Sequence, residues 1–176
     1  MTPCITLQSL GADINRADLA DLIALLIDCV EGGASVGFML PLPEAHAEAF
    51  WRRKTALAAS GDNGLLVARD AGGKIIGTVQ VVLAQPENQP HRGDIIKLLV
   101  HRGARRLGVG EALMRAAQQW AAQAGKTLLV LDTATGSAAE RLYTRLGWRR
   151  AGVIPDYALY PDGRLTATTV YYLQLK

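Results

Sequence analysis

Arg105-Arg106-Leu107-Gly108-Val109-Gly110 stands between a short apolar stretch, Lys97-Leu98-Leu99-Val100, and a run with helical apolar spacing over residues 109–124. A strand that turns through glycines into an amphipathic helix exposes that helix's first N–H groups, which have no partner within the helix. It also presents the positive end of the helix dipole. Both suit phosphate oxygens. Glycines at 108 and 110 would let the backbone approach a ligand with no Cβ in the way. Arg102, Arg105 and Arg106 concentrate positive charge beside the loop. The same six residues also fit a plain left-handed turn entering a helix. A P-loop would need Gly-Lys-Ser/Thr where Gly110 is followed by Glu111-Ala112, and a dinucleotide loop would want a third glycine where Leu113 stands.

Charge distribution agrees with an anionic ligand near this loop. Residues 1–88 carry 6 Lys+Arg and 10 Asp+Glu, a balance of −4, whereas residues 89–176 carry 13 and 6, a balance of +7. A basic half suits nucleic acid, a membrane surface or a phosphorylated cofactor. Nucleic-acid binders interleave aromatics with their basic residues, and here the arginines gather at one loop instead, so no nucleic-acid partner is expected. No apolar run approaches the roughly 18–20 residues that cross a bilayer, so no membrane partner is expected either. Cys4 and Cys29 show no metal spacing, and no metal site is expected. Residues 1–10 lack a basic start followed by an apolar core, which reads as no secretory signal and a cytoplasmic setting. With 176 residues, 49% hydrophobic and 20% charged, one domain around a single core is expected over residues 1–176.

Working outward from the loop, residues 5–10 read as a short strand. Asp13 can cap a helix whose apolar positions are Leu19, Leu22, Ile23, Leu26, Ile27 and Val30, ended by Gly32-Gly33. Residues 34–39 are irregular, and Pro41 and Pro43 lead into a second helix over 44–59. Strands at 64–69 and 74–83 flank the tight turn Asp70-Ala71-Gly72-Gly73. A strand over 94–100 precedes the arginine loop. The helix after it places Leu113, Ala117, Trp120, Ala121 and Ala124 on one face. Residues 127–132 are nearly all apolar, as for a strand buried on both faces. A short helix at 137–146 ends at Gly147, and strands at 149–154 and 168–175 follow. The order β-α-α-β-β-β-α-β-α-β-β predicts an α/β (α+β) domain: a mixed sheet flanked by helices.

Two motifs in order resemble the GNAT acetyltransferases. Arg105, Gly108 and Gly110 match that family's Arg/Gln-x-x-Gly-x-Gly/Ala loop, and Ala139-Glu140-Arg141-Leu142-Tyr143-Thr144-Arg145-Leu146-Gly147-Trp148 is similar to its A-x-x-L-Y-x-x-x-G-F/W segment. Gly32-Gly33-Ala34-Ser35-Val36-Gly37-Phe38-Met39, Leu131-Asp132-Thr133 with Gly136-Ser137, and Pro161-Asp162-Gly163-Arg164-Leu165 further resemble the tabtoxin-resistance acetyltransferases, which acetylate an amino-acid-like β-lactam toxin. The resemblance implies a GNAT-type, mostly antiparallel sheet, acetyl-CoA as co-substrate and the amine of a small molecule as acceptor, with toxin or antibiotic detoxification as a role to test. Dimers are common in the family, so a homodimer is a form to test, although no residue here identifies an interface. Ribosomal-protein acetyltransferases share the fold and loop, so protein N-terminal acetylation is an alternative, and a non-catalytic acyl-CoA sensor is another.

Within that resemblance, Arg105, Arg106, Leu107, Gly108, Val109 and Gly110 would hold the cofactor's pyrophosphate. The backbone of Leu99 and Val100 would pair with its pantetheine arm. Ser137 stands where many relatives have Asn near the sulfur, and a hydroxyl offers less than the full amide pattern. Tyr143 aligns with the tyrosine that serves as general acid, though its spacing with Leu142 and Leu146 also fits a core aromatic. Asp94 and Asp132 are candidate bases for the acceptor amine, or simple polar ends of strands. An unpaired carboxylate at the end of a buried strand is expensive, so Asp132 should pair with a neighbour or meet a cationic amine. Ser35 and Phe38 lie in one expected wall of the acceptor pocket, and residues 157–164 form the other. Glu31 could meet an ammonium and Arg164 a carboxylate, or both could be plain surface charges.

Overall fold

A computed structural model describes residues 5–11 and 14–175. Its elements run β1 (Thr6–Leu10), α1 (Arg16–Glu31), α2 (Glu44–Ala59), β2 (Asn63–Arg69), β3 (Ile75–Val82), β4 (Arg92–Val100), α3 (Val109–Gln123), β5 (Leu128–Ala134), α4 (Ala138–Arg145), β6 (Arg149–Leu159) and β7 (Leu165–Gln174), with one 3-10 turn at Arg102–Ala104. The element order agrees with the sequence reading. All seven strands form one sheet in the order β1-β2-β3-β4-β5-β7-β6. Every neighbouring pair is antiparallel except β4 and β5. No helix among the described residues is long and apolar enough to cross a membrane.

Two apolar layers fill the two faces. On one, Leu22, Leu25, Leu26 and Val30 of α1 and Phe50 and Trp51 of α2 pack on Leu65, Val67, Ile75 and Leu99. On the other, Val109, Leu113, Met114, Ala117 and Ala121 of α3 join Leu66, Val79, Ile95, Leu129 and Leu131 with Tyr143, Trp148 and Tyr171. The α3 seat is cut to shape by small residues in the sheet. A Cβ on Gly64 would come within 2.7 Å of the Trp120 ring, and one on Gly77 within 2.9 Å of Val109.

Several expectations are corrected in detail. Asn15 caps α1, its side chain accepting the Asp18 N–H at 2.9 Å; Asp13, the expected cap, lies outside the described residues. On α3, Met114 is buried, Trp120 is half-buried and Ala124 is exposed. Strand β5 alternates instead of being buried on both faces: Leu129 and Leu131 are buried, while Asp132 is exposed. The reason is coverage, since α1 packs on β3 and β4 and α2 on β2, leaving that face of the sheet open from β5 onward. Strand β6 continues five residues past its expected end, through an irregularity between Ile154 and Ala158 where Asp156 has a φ of +49°. Pro155 is tolerated there because β6 is an edge strand.

Candidate functional site

The arginine loop is an anion seat by geometry. Arg106 and Gly108 both adopt left-handed φ, +62° and +83°, the latter at the N-cap of α3. Residues 105–108 turn tightly, and among the described residues the N–H groups of 106–111 make no backbone hydrogen bond of normal geometry; the next, Ala112, bonds to the Gly108 carbonyl at 3.0 Å. Consecutive donors without well-formed partners at a helix start form an anion-binding concavity. The two glycines serve it differently. A Cβ on Gly108 would meet nothing within 4 Å, so that position is glycine for its φ. At Gly110 a Cβ would lie 3.3 Å from Leu142, so that position is small to let α4 close onto α3. An ion pair from Arg145 to Glu111 at 3.4 Å ties the same helices together. The loop's base is anchored by Asp28 of α1, which accepts the Arg102 N–H and Nε, each at 2.8 Å. Burial pushes the Asp28 carboxyl up, but these hydrogen bonds and the charges of His101 and Arg102 hold it below the usual range.

Beside this seat the sheet splits. Strands β4 and β5 pair only through Arg92–Leu128, Gly93–Leu129 and Asp94–Val130. Beyond Asp94 the β5-facing edge of β4 has no strand partner among the described residues, and a wedge opens toward Leu99 and Val100. An extended arm carrying amides would find ladder groups there. The Val100 carbonyl is already engaged, by Arg105 Nε at 3.4 Å and the Cys29 thiol at 3.6 Å, so Arg105 reaches back into the wedge from the loop.

The residues expected to act on a reacting acetyl group are only partly brought together. Tyr143 is 5% exposed, between the Trp148 and Tyr171 rings, whose centroids lie 6.1 and 5.9 Å away. Burial, the Asp132 charge and Tyr171 all push its phenol well above the ordinary value, so it keeps its proton across the neutral range. Ser137 opens α4 without capping it, its hydroxyl 3.2 Å from that of Thr133. Asp94 is fully engaged: Arg92 reaches one carboxylate oxygen and Gln85 Nε2 the other. Asp132 stands exposed over the open face, held by the Thr168 hydroxyl at 3.2 Å, so the cost expected of a buried carboxylate does not arise.

The two expected walls of the acceptor pocket meet. The Ser35 hydroxyl donates to the Leu159 carbonyl at 2.9 Å, and the Leu40 N–H to the Pro161 carbonyl at 3.0 Å, closing residues 34–40 against the β6–β7 hairpin. Phe38 stacks edge-on against Phe50, with centroids 5.1 Å apart, in a cleft of about 250 Å³. Two expected contacts are redirected. Glu31 faces Arg102, at 3.8 Å. Arg164 pairs with Asp162 at 2.8 Å and lies over the Tyr160 ring, with both charged side chains largely exposed.

Sequence reasoning missed Lys97. It sits in a bulge of β4, where Ile96 faces Gln80 and Leu99 faces Thr78, and its φ is +53°. Its Nζ reaches the cleft, 6.0 Å from the centre of the Phe38 ring. Burial and the charge of Lys54 push its ammonium below the ordinary value, opposed by Asp132. The available signal was a lysine inside an otherwise apolar strand, a residue type that strands disfavour.

Comparison with known proteins places these features in a family frame. The sequence profile of the Acetyltransferase (GNAT) family matches residues 33–148. Among similar solved structures, a GCN5-related N-acetyltransferase from Kribbella flavida is 22% identical, covering 97% of this chain and 98% of its own, with a TM-score of 0.79. A phosphinothricin acetyltransferase from Sinorhizobium meliloti, solved in complex with AcCoA, is 20% identical over 99% of this chain and 89% of its own, with a TM-score of 0.81. A ribosomal-protein-alanine N-acetyltransferase from Brucella melitensis is 20% identical over 97% and 99%, with a TM-score of 0.79. At such identities the likeness is one of fold.

Proposed function

The chain belongs to the GNAT acetyltransferase family, and from that premise we propose that it moves the acetyl group of acetyl-CoA to the amine of a small, amino-acid-like molecule. The observation that carries this reading is the row of unpaired N–H groups over residues 106–111, opening beside the unpaired edge of β4. These groups would hold the pyrophosphate, with Arg105 and Arg106 supplying charge, and the backbone of Leu99 and Val100 would hold the pantetheine arm. When bound, acetyl-CoA supplies an activated acetyl group on a thiol leaving group.

The chain's own residues then have to manage two protons. Free alkyl amines are mostly protonated near neutrality, so one proton must leave the acceptor. Asp132 is the better base: its carboxylate carries one hydrogen bond from a hydroxyl, whereas both oxygens of Asp94 are occupied by Arg92 and Gln85. Asp94 then serves as a positioning group for the start of β4. Tyr143, protonated at rest, would give its proton to the departing sulfur and regain one from the second proton that the nitrogen sheds as the amide forms. Ser137, at the head of α4, adds one hydroxyl on the same side.

A small acceptor is favoured over a peptide by the size of the cleft and the fastening of residues 34–40 beside it. Residues 34–40 are fastened to the β6–β7 hairpin, and the cleft of about 250 Å³ is below the roughly 300–1,000 Å³ typical of pockets for drug-sized ligands. Detoxification of an amino-acid-like toxin fits this acceptor class. The test is acetyl-CoA-dependent thiol release against amino acids, β-lactam amino-acid toxins, aminoglycosides, polyamines and peptides. Release with amino-acid-like amines supports the reading; release with peptides alone would replace it by protein N-terminal acetylation. Acetyl-CoA binding without any release would leave a sensor.

A further inference from the structure

We propose that the cleft between Phe38, Phe50, Arg53 and Lys97 takes a carboxylate of the acceptor, with Lys97 and Arg53 as its cationic partners. The substrate is then a zwitterion, its amine directed toward Asp132 and its acid group toward α2. This rests on the acetyl-transfer reading and specifies the acceptor.

Lys97 is displayed at a cost. A non-glycine residue with left-handed φ is strained, and such strain is kept where surrounding structure has a use for it. The bulge turns Lys97 out of the strand's regular alternation and into the cleft. Gly37, across the cleft, leaves room for its head: a Cβ there would lie 3.3 Å from Nζ. Among the described residues Lys97 makes no hydrogen bond and no ion pair, although it is half-buried and its ammonium carries three donors.

The neighbourhood makes that ammonium worse off. Arg53 and Lys54 both lie over the Phe50 ring, at 5.9 and 5.6 Å, and His46 also borders the cleft. Among the described residues no carboxylate lines it; the acidic group that acts on Lys97 is Asp132, and its influence is smaller than that of burial or Lys54. Burial and like charge both disfavour the charged lysine, and the negative charge of a bound anion would oppose both. Phe38 and Phe50 offer an apolar wall to the carbon skeleton between the two charged ends. Arg164, the residue expected from sequence for this task, pairs with Asp162 at an exposed position and is not among the residues lining the cleft.

The decisive comparison is between amino acids and their carboxamides, which keep the amine and lose the anion. With the wild-type protein, kcat/KM for the acid should exceed that for the amide by at least about tenfold, the worth of one charge-assisted hydrogen bond. Lys97→Met, which keeps a similar length, should bring that ratio close to one. Arg53→Met, at an exposed position, gives a second reading should Lys97→Met fail to fold. Equal rates for acid and amide with wild type would overturn the proposal. So would a loss of acetyl-CoA affinity in Lys97→Met with the acid-to-amide ratio unchanged, which would assign Lys97 to the cofactor. If no amine releases thiol, the acetyl-transfer reading fails, and the pocket is judged by binding alone. N-acetyl-L-alanine at millimolar concentration should then move the Lys97 ε-carbon NMR signal, while N-acetyl-L-alaninamide should not. Absence of any response to the acid would overturn the carboxylate site.

Discussion

Gly108→Val separates the conformational demand of the arginine loop from its ligand. The residue has φ +83° and ψ −6° at the N-cap of α3. Placing an L side chain in that region costs about 1–2 kcal/mol. For a chain of this size, at about 2–4 °C per kcal/mol, Tm should fall by about 2–8 °C. No clash adds to this, because nothing lies within 4 Å of the new Cβ. Affinity should suffer more. Relief of the strain swings the free N–H groups of residues 106–111 out of alignment. Each charge-assisted hydrogen bond is worth about 1.5–3 kcal/mol, so losing two weakens binding by about 10²–10⁴-fold. Calorimetric titration of acetyl-CoA, beside thermal unfolding, measures both effects. Pantetheine, which has no pyrophosphate, should bind wild type and variant alike. A lowered Tm with unchanged acetyl-CoA affinity would refute the anion-seat argument.

Tyr143→Phe should lower kcat by about 10²-fold or more with acetyl-CoA affinity retained, since general acids typically contribute about 10²–10⁴-fold; an unchanged kcat would return Tyr143 to the core alone. Asp132→Asn should depress kcat/KM with acetyl-CoA affinity retained, whereas Asp94→Asn should act mainly on stability by breaking the Arg92–Gln85 cluster; the reverse pattern would exchange their roles. Asp28, held below its ordinary 3.8 by Arg102 despite the desolvation that opposes it, contributes stability above that value and loses it as pH falls through its lowered folded value. The stability gap between wild type and Asp28→Asn should therefore be flat near neutrality and shrink below about pH 4. A gap that widens on acidification would contradict the assigned hydrogen bonds.

Much of this architecture is readable from local rules. Helix α2 has the expected bounds, because prolines precede it and its propensities continue to Ala59. The arginine loop is legible because a strand, left-handed glycines and an amphipathic helix follow one another. What escapes is set by tertiary context. Asp132 reads as buried from the apolar run before it, but burial depends on where α1 and α2 stop covering the sheet. Arg164 reads as free until the turn folds Asp162 onto it. Lys97 reads as an ordinary member of a strand, because a bulge is a property of the pairing between β3 and β4 and not of β4 alone. Gly110 reads as an opening for a ligand alone, because its second role, making room for Leu142, comes from a helix some thirty residues later.

The three-residue seam between β4 and β5 also divides the molecule mechanically. On one side, β1 to β4 are joined by antiparallel ladders under α1, α2 and α3; on the other, β5, β7 and β6 form a second laddered block against which α4 packs. Along the seam β4 and β5 contribute three residue pairs, and further coupling comes from side chains beneath α3 and, on the other face, from the Ser35–Leu159 and Leu40–Pro161 hydrogen bonds. A molecule lying in that wedge touches both blocks at once and acts as a clasp. Loading the cofactor should thus slow amide exchange in β5 and β7 as well as along the loop it contacts, because separating the blocks then requires the clasp to open first.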